Sequence, residues 1–461
     1  MMILDSLINF LPQVELFSKV KTNIDGFCID SRKLKKNFVF IAIDGKNHRG
    51  VDFVEEVFKK EASAVIVEKK YRKILSPWKN KLSLILVPEI KSALSGCSRY
   101  MLSLFNGKVI GITGSNGKTT TKNLIASILS STFNVHQSEK NFNNEIGVPL
   151  TVFGLKKDTE ILVSEVGINK SGEMDRLANL LRPDFSLITN ISPTHLEGLK
   201  SEYNIMQEKS KLFERTGTLC FANLKNPWLK DLRLKARRLL TVHPSDPSAD
   251  RYFDRIENLG LDGWKVVYKK ISIKYPLYGM GNLENLIMAI ALCEYIGVPL
   301  KRIPPVVSQF KNIPGRSQIF KNSKIVLLDE SYNSNPFSME RSIEFIDSIK
   351  TDKIKCIVFG TMAELGKKEK FYHKFIGHKL ALSSADVIFV FGKGSYPAFK
   401  VIKKMSKKDL FFFEDKDELE ISLKQKINDF QKKGIITLVK GSRLCNLNEV
   451  VEKIKKEFSL R

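Results

Sequence analysis

One stretch, residues 108–129, constrains the fold of this chain more than any other. Its five mostly apolar residues Val109 to Thr113 predict a short buried strand, which the tight turn Gly114-Ser-Asn-Gly117 follows. A helix is predicted from Lys118 onward. This order of strand, glycine turn and helix is typical of a phosphate-binding loop, because successive backbone N–H groups and the positive helix end point at the anion.

The residue types at the start of this helix indicate a nucleoside triphosphate. Lys118 is expected to reach the terminal phosphates, and the Thr119 hydroxyl is expected to hold Mg²⁺. The strict Gly-x4-Gly-Lys pattern would need glycine where this chain has Ile112, so an ordinary turn with incidental glycines is the alternative. The strand-to-helix context favours the phosphate loop. Its predicted nucleotide-binding residues are Thr113, Gly114, Ser115, Asn116, Gly117, Lys118, Thr119 and Thr120.

Length and cysteine usage bound the class of protein. A chain of 461 residues predicts two to four domains, and its 43% of hydrophobic residues can bury sizeable cores. No apolar run is long enough to span a membrane, and no basic segment precedes the apolar residues at the start, so neither membrane insertion nor a signal peptide is expected. The cysteines show no paired spacing, which indicates a reducing, cytoplasmic setting without zinc or disulfides.

The formal net charge of +25 raises the question of a nucleic-acid partner. The basic residues are spread along the chain as lysine pairs instead of being gathered in one arm, which favours a solvated surface. We therefore predict no nucleic-acid partner, and a basic protein that suits anionic small ligands. A P-loop ATPase stimulated by nucleic acid stays open as the alternative.

Alternating strand and helix patterns predict an α/β protein of three domains. Pro314-Gly315 is the clearest boundary signal, and strict alternation after it predicts a parallel, doubly wound sheet. The predicted domains are residues 1–106, 107–313 and 314–461. In the first domain we predict strands over residues 26–32, 37–43, 62–68 and 82–87, and helices over residues 51–60 and 91–104.

Polar residues follow several predicted strands of the second domain. Glu165 ends one strand, His195 lies in the loop after the next, and Asn143 and Asn144 lie in an amide-rich loop. Because parallel strands end at one sheet edge, a single site is expected there. Glu165 could bind a metal ion or cap the helix after Ser171, and a lone histidine is more often structural than functional.

Two further features of this domain are polar residues on helices. Lys209 lies in a polar helix predicted over residues 201–215. Asn282 and Asn285 are three apart before the apolar helix 286–296, so they share a face. They could cap that helix or read a base edge, and capping is favoured by the residue type.

These motifs together resemble the Mur ligases, ATP-dependent amino-acid ligases of peptidoglycan synthesis. The resemblance runs in order through essentially the whole chain. It rests on Thr113-Gly-Ser-Asn-Gly-Lys-Thr-Thr120, Asn141-Phe-Asn-Asn-Glu-Ile-Gly-Val-Pro149, Glu165-Val-Gly-Ile-Asn169, residues 190–198 with His195, Asp329-Glu-Ser-Tyr-Asn-Ser-Asn-Pro336, Gly360-Thr-Met-Ala-Glu-Leu-Gly366 and Val439-Lys-Gly-Ser-Arg443.

The resemblance implies a task for each domain: a UDP-sugar-binding domain, a P-loop ATPase-like parallel-sheet domain and a Rossmann-like domain that closes over the nucleotide. It implies metal binding by Thr119, Glu165, His195 and Lys209, the last as a carbamate. The catalytic residues would be Lys118, His195 and Lys209. Nucleotide contacts are implied for Asn282 and Asn285 at the adenine and for Arg316 and Asp329 at the phosphates and ribose, and substrate contacts for Ser31, Arg32, Asn143, Asn144, Tyr332 and Asn333.

Within the family, the resemblance implies addition of D-alanyl-D-alanine to UDP-N-acetylmuramoyl-tripeptide by a monomer that uses ATP and Mg²⁺. The carboxylate of the tripeptide would attack the γ-phosphate to form an acyl phosphate, which the dipeptide amine would then attack. Addition of another amino acid, or of glutamate to a folate, is the alternative. Two positions depart from the family pattern: Gly281 stands where histidine is usual, and Glu330 where aspartate is usual.

Overall fold

The computed structural model describes residues 2–460 and confirms the α/β class. Three large sheets follow one another along the chain, with five, six and six strands, and helices cover them. The described residues also form two small antiparallel sheets, of two and three strands. No helix among residues 2–460 has the length and apolar character needed to cross a bilayer.

The first large sheet has the strand order β2-β7-β6-β5-β4, in which only β2 is antiparallel to its neighbour. The predicted strand over residues 26–32 is too long. It ends at Cys28, because the Asp30 side chain accepts a hydrogen bond from the Arg32 N–H and caps a 3₁₀ turn over Ser31–Lys33. The strands are β1 Met2–Ile3, β2 Glu15–Ser18, β3 Asn23–Ile24, β4 Gly26–Cys28, β5 Phe38–Ile41, β6 Ala64–Glu68 and β7 Ser83–Val87, and the helices are α1 Leu4–Ile8, α2 Val54–Lys59, α3 Arg72–Leu75 and α4 Ile90–Ser103.

The second sheet is entirely parallel, with the order β13-β12-β11-β8-β10-β9. The strand that leads into the phosphate loop, β8, lies between β11 and β10, so three strands deliver their polar ends to one edge. An antiparallel sheet, β14-β15-β16, contains a hairpin over residues 264–275. The strands are β8 Lys108–Thr113, β9 Val135–Gln137, β10 Ile161–Glu165, β11 Phe185–Ile188, β12 Leu219–Asn223, β13 Leu239–Val242, β14 Arg255–Asn258, β15 Trp264–Tyr268 and β16 Ile271–Tyr275.

One helix of this region begins earlier than predicted. The apolar helix starts at Met280 instead of residue 286, after Gly279, whose φ of 83° ends the preceding loop. Asn282 and Asn285 therefore lie inside the helix, and no side chain caps its start. The helices are α5 Lys118–Leu129, α6 Gly147–Phe153, α7 Glu173–Leu181, α8 Leu196–Leu199, α9 Glu202–Glu214, α10 Leu229–Lys235, α11 Met280–Ile296 and α12 Ile303–Ser308.

The third sheet has the order β17-β18-β22-β19-β20-β21 and is not wholly parallel as predicted. Its edge strand β17 is antiparallel to β18, because only residues 322–324 join the two and so short a connection cannot cross over. The strands are β17 Gln318–Lys321, β18 Ile325–Glu330, β19 Ile354–Gly360, β20 Val387–Phe391, β21 Asp409–Phe413 and β22 Ile435–Lys440, and the helices are α13 Pro336–Ser348, α14 Glu369–Leu382, α15 Tyr396–Met405, α16 Lys416–Asp429 and α17 Leu447–Glu457.

Apolar contacts join the three sheet regions. The ring of Phe27 in the first stacks on Phe153 of the second at 5.0 Å. The ring of Tyr278 in the second stacks on Phe345 of the third at 4.4 Å, within one continuous cluster of buried residues. The polar ends of the second and third sheets consequently face each other across a cleft.

Candidate active site

The phosphate loop is a turn of four residues between β8 and α5. Ile112 is fully buried inside β8, so the strand continues past the place where the strict pattern has its first glycine. Gly114 has φ +145° and Gly117 has φ +80°, and a Cβ at either would lie within 2.5 Å of a neighbouring side chain. At Gly117 that neighbour is Asn285 of α11, so this glycine lets the helix approach the loop.

Two lysines converge on one carbonyl oxygen of this loop. The ammonium groups of Lys118 and Lys209 lie 2.7 and 3.1 Å from the oxygen of Gly114. Burial lowers the pKa of Lys118, and the positive charge of Arg316 adds to that effect against the opposing charge of Glu165. Two lysine side chains thus meet at one backbone carbonyl, and among residues 2–460 neither forms an ion pair with a carboxylate, which suits the binding of an anion.

Of the two lysines, Lys209 has the more strongly lowered pKa. Its side chain comes from α9 and is 1% exposed. Burial, with the nearby charge of Lys118 as the second cause, places its pKa well below the ordinary value. A neutral amine is the form that can take up CO₂ as a carbamate, so the environment fits the modification that the resemblance implies.

Glu165 ends β10 beside the loop, as its register opposite Ile112 requires. Its Oε1 accepts a hydrogen bond of 2.8 Å from Asn143, while its Oε2 is buried without a partner. The alternative of helix capping is wrong, since α7 begins at Glu173 and that carboxylate accepts the N–H groups of residues 169 and 170. Glu165 thus offers a free buried carboxylate oxygen beside the phosphate loop.

His195 faces the third sheet. It has a left-handed backbone, with φ +51°, at the start of α8, and its Nδ1 lies 2.5 Å from Oε2 of Glu364. The hydrogen bond with His195 lowers the pKa of Glu364. The amide N–H of Glu197 also donates to the Glu364 carbonyl, at 3.1 Å. His195 therefore lies at the contact between the second and third sheet regions.

The donor set fits Mg²⁺ bound together with phosphate. Among residues 2–460 no three His, Cys, Asp or Glu side chains already form a metal cluster. Mg²⁺ is usually held by one or two carboxylates plus phosphate oxygens and water, so a complete protein cage is not needed. The unpartnered Oε2 of Glu165 is the observation that supports such a site.

The two asparagines of α11 do not cap it. Asn282 donates to the carbonyl of Tyr278 at 2.7 Å and to the Ser317 hydroxyl at 3.1 Å, and Asn285 lies against Gly117. The capping interpretation is therefore wrong, because Gly279 is the N-cap and neither asparagine side chain accepts a backbone N–H of the first turn. They line the cleft next to the phosphate loop.

Arg316 lies in the strap between the second and third sheets, residues 309–317, and Asp329 lies near the end of β18. The guanidinium of Arg316 lies 4.0 Å from the ring centre of Tyr332. Asp329 accepts hydrogen bonds from the backbone N–H of Gly315, at 3.1 Å, and from Ser331. Burial raises the pKa of Asp329. This carboxylate lies behind the cleft wall and holds the strap, whereas Arg316 lines the cleft.

The cleft between the second and third sheets has a volume of about 780 Å³. Most of the predicted site residues line it. These are Ser115, Asn116, Gly117, Lys118, Thr119, Thr120, Asn143, Asn144, Glu165, His195, Asn282, Asn285, Arg316, Tyr332 and Asn333. Thr113, Gly114, Lys209 and Asp329 lie behind its wall. Gly114 accepts a hydrogen bond from Lys118 and Asp329 accepts one from Gly315, both of which line the cleft, and Lys209 donates to Gly114.

Ser31 and Arg32 are not brought to this cleft. The Ser31 hydroxyl donates to Glu56 at 2.8 Å, and Arg32, which is exposed, pairs with Asp30 at 2.9 Å. Both lie at the carboxyl end of β4 in the first sheet. Any ligand that they share with the cleft would have to extend from one sheet region to the next.

Several residues that sequence reasoning did not select hold the site together. Asn190 accepts the Asn116 N–H at 3.0 Å, Asn335 donates to the Asn116 side chain at 2.5 Å, and Glu364 meets His195. All three stand inside motifs that carry the resemblance. Their contacts span 74 to 219 positions in the chain, so only the motif membership could have pointed to them.

A phosphate loop on a parallel sheet, facing a second α/β unit across a cleft, defines a nucleotide-using α/β enzyme. The Mur ligase middle domain family matches residues 112–293, and the family described as Mur ligase, glutamate ligase domain matches residues 315–443. The chain belongs to the Mur ligase family.

Relatives and solved structures agree with this assignment. The UDP-N-acetylmuramoyl-tripeptide–D-alanyl-D-alanine ligase of Bacillus subtilis is 31% identical over 448 residues, covering 96% of this chain and 94% of the relative. MurF ligase from Thermotoga maritima, solved in complex with ADP, has a TM-score of 0.81 and 25% identity, and the match covers 94% of this chain and 98% of that one. A MurF structure from Acinetobacter baumannii shares the fold with a TM-score of 0.84 at 24% identity, over 98% of both chains.

Proposed function

We propose that this chain is an ATP-dependent ligase that adds D-alanyl-D-alanine to UDP-N-acetylmuramoyl-tripeptide. The observation that carries the proposal is the convergence of Lys118 and Lys209 on the Gly114 carbonyl, beside the unpartnered carboxylate oxygen of Glu165. The products are UDP-N-acetylmuramoyl-pentapeptide, ADP and phosphate. The names of the relatives above support the choice of this reaction within the family.

The chemistry explains why such a site is needed. A carboxylate is a poor electrophile, because its oxygen would have to leave as oxide or hydroxide. Transfer of the γ-phosphoryl group to the tripeptide carboxylate makes that oxygen a good leaving group, and the dipeptide amine then displaces phosphate from the acyl phosphate. The first step brings two anions together, so Lys118 and the loop N–H groups act by neutralising the charge that builds up.

Mg²⁺ bound with the nucleotide would supply further neutralisation of the phosphate charge. Thr119, Glu165 and His195 would hold it, together with Lys209 as its carbamate. The hydrogen bond from Asn143 fixes Oε1 of Glu165 and leaves Oε2 for the ion. Asn282 and Asn285 line the cleft on the side of the loop where the base would lie, and Arg316, which also lines the cleft, would reach the phosphates.

The three predicted domains take separate parts of the reaction. Residues 1–106 would bind the UDP-sugar through Ser31 and Arg32, residues 107–313 would bind ATP, and residues 314–461 would receive the dipeptide beside Tyr332 and Asn333. One chain supplies both walls of the cleft, which is consistent with a monomer. ATP and the nucleotide-linked precursor are cytoplasmic metabolites, and the six cysteines are free, as a cytoplasmic enzyme would have them.

The test is phosphate release by the purified protein against a matrix of UDP-muramoyl peptides and amino acids or dipeptides. We expect release only when ATP, UDP-muramoyl-tripeptide and D-alanyl-D-alanine are present together, with the pentapeptide product seen by mass spectrometry. Release with another acceptor pair, and none with this one, would contradict the proposal. A salt-sensitive gain with DNA or RNA alone would favour the nucleic-acid-stimulated ATPase.

Lys118→Ala tests the assignment of the phosphate loop. Loss of one preorganised charge should lower the rate by about 100-fold or more. Lys230→Ala is the matched control, since Lys230 is exposed and lies outside the cleft. A folded Lys118→Ala protein with near-normal ligation would contradict the role of this lysine.

A further inference from the structure

Most of the strong cations that line the cleft already have partners. Lys118 donates to loop carbonyls, Lys440 pairs with Glu330 at 2.9 Å, and Arg341 pairs with Glu344 at 3.3 Å. Arg316 and Arg443 also line the cleft, and neither guanidinium has an acidic partner within residues 2–460. Two guanidinium groups without counter-charges in one cleft point to ligand groups that bear negative charge.

Both guanidinium groups lie against one aromatic ring. Arg316 lies 4.0 Å from the ring centre of Tyr332, and Arg443 lies 5.9 Å from the same centre. The two differ in what lies near them. Ser317, next to Arg316, accepts a hydrogen bond of 3.1 Å from Asn282 of α11, the helix whose Asn285 lies against Gly117 of the phosphate loop, whereas Arg443 follows β22 of the third sheet. Arg316 therefore belongs to the phosphate side, and Arg443 is left for a second anion.

The topology of the third sheet explains this arrangement. β18 and β22 are adjacent and parallel, with Glu330 in register opposite Lys440. The residues that follow them, Tyr332 and Arg443, therefore leave the sheet at the same edge. That edge faces the phosphate loop, as the contact of Asn335 with Asn116 shows.

The residue next to Arg443 adds a second element of recognition. Leu444 lines the same cleft and is 81% exposed, so its methyl groups are free to contact an apolar group of a ligand bound at Arg443. A ligand that carries a carboxylate next to a small apolar group could pair with Arg443 and contact Leu444 at the same time. The terminal residue of D-alanyl-D-alanine has that chemistry, with its free carboxylate and its methyl group.

We infer that Arg443 binds the terminal carboxylate of the incoming dipeptide, and that Leu444 contacts the methyl group beside it. The inference rests on the proposed function and names a specificity-determining residue for it. A guanidinium can grip a carboxylate through two parallel hydrogen bonds, which fixes orientation as well as charge. A dipeptide extends at most about 7 Å, so a fixed carboxylate restricts where the attacking amine can lie.

The experiment compares two acceptors, D-alanyl-D-alanine and its C-terminal amide, in the full-length enzyme. The unmodified enzyme should prefer the acid by about 10- to 100-fold in kcat/KM, which is the range for hydrogen bonds to a charged group. Arg443→Met should raise the KM for the dipeptide by a similar factor and bring the acid-to-amide ratio close to one. The KM values for ATP and for the UDP-linked substrate should stay within about twofold. Arg443→Lys should keep part of the preference, because the charge remains without the two-point grip.

The controls separate this inference from the function on which it rests. Arg237→Met removes an exposed arginine outside the cleft and should leave the preference for the acid intact. An undiminished preference in Arg443→Met, or a rise in the KM for ATP instead of the dipeptide, would overturn the role of Arg443. Absence of dipeptide-dependent phosphate release in the unmodified enzyme would overturn the proposed function itself. Arg443 is exposed, so Arg443→Met should melt at the same temperature as the unmodified enzyme.

Discussion

Lys209 illustrates how a single side chain takes its chemistry from its surroundings. In a polar helix on a protein surface it would be an ordinary ammonium group. Here it is 1% exposed and shares the Gly114 carbonyl with Lys118, and burial is the main cause of its low pKa. A buried amine next to another cation is stabilised in its neutral form, which is the form that reacts with CO₂.

We expect Lys209 to carry a carbamate. With ¹³C-bicarbonate, the unmodified protein should show a carbamate carbonyl resonance that Lys209→Met lacks. Lys122→Met is the matched control, because Lys122 is also buried with a pKa that burial lowers, yet it is bound to the carbonyl of Ser138. Lys209→Ala should lose activity, which an added short carboxylate could restore in part. Full activity in Lys209→Ala, or a resonance that persists in Lys209→Met, would contradict the proposal.

Glu330 and Lys440 form a buried ion pair between adjacent strands. Their charged atoms lie 2.9 Å apart, and the Ser342 hydroxyl donates to the same carboxylate oxygen. Burial by itself raises the pKa of Glu330, but the charge of Lys440 and the hydrogen bonds outweigh it and the pKa lies below its ordinary value. The pair therefore stabilises the fold at neutral pH, and this contribution is lost in acid as Glu330 takes up a proton.

Removal of Lys440 should destabilise the fold, because the charge of Glu330 then stays buried without a counter-charge. Lys440→Met leaves a buried carboxylate without its counter-charge and should lower the free energy of unfolding by about 3–5 kcal/mol. Glu330→Gln added to Lys440→Met should recover much of this loss. In urea titrations, Glu330→Gln should also flatten the fall of stability below about pH 4.3, the ordinary value for a glutamate. An unchanged stability in Lys440→Met would contradict this account of the pair.

At the scale of elements, the residue that caps α13 also contacts the phosphate loop. Its N-cap is Asn335, whose side chain accepts the Ser338 N–H at 2.9 Å while the Ser338 hydroxyl accepts the Asn335 N–H at 3.1 Å. The amide nitrogen of Asn335 also donates to the side chain of Asn116 in the phosphate loop. One residue therefore starts a helix of the third sheet and fixes its end against the second.

We expect Asn335→Ala to have two separable effects. Loss of the cap should lower the free energy of unfolding by about 0.5–2 kcal/mol, and loss of the Asn116 contact should raise the KM for ATP. Asp415→Ala is the matched control, because Asp415 caps α16 through two backbone N–H groups and lies outside the cleft. Denaturation and phosphate-release kinetics would distinguish the two variants. Equal KM values for ATP in Asn335→Ala and Asp415→Ala would show that the contact of Asn335 with the phosphate loop has no part in ATP binding.

At the scale of the whole molecule, polar contacts between the second and third sheets hold the cleft in its observed form. His195 and Glu364 lie 2.5 Å apart, and the Glu197 N–H donates to the Glu364 carbonyl. The Glu364 side chain is 52% exposed, so its contact with His195 contributes modestly. Such contacts suit a cleft that has to open for substrates to enter and leave.

Glu364→Gln should shift the molecule toward more open forms. We expect a larger radius of gyration in small-angle X-ray scattering, because the carboxylate that faces His195 across the cleft is lost. Glu414→Gln removes a carboxylate of the same sheet region outside the cleft and should leave the radius unchanged. Identical scattering from Glu364→Gln and the unmodified protein would show that this pair does not hold the cleft closed.

The α/β class and the family were predictable because they depend on local patterns. The run from Val109 to Thr119 predicts strand, turn and helix with little help from the rest of the chain, and α5 begins at Lys118 as predicted. The errors arose where a neighbour in space decided the outcome. The helix with Asn282 and Asn285 begins at Met280, since packing of α11 against α5 extends it beyond its apolar run.

The sequence by itself determined the phosphate loop, the alternation of strands and helices, and the family, because each depends on residue types at short spacing. The tertiary structure alone decided which polar groups meet: Lys209 under the phosphate loop, Glu364 against His195, and Arg443 beside Tyr332. Contacts between residues 95 to 169 positions apart leave no periodic trace in a sequence. They follow from strand order, because adjacent parallel strands bring their carboxyl ends, and the loops that follow them, to one edge.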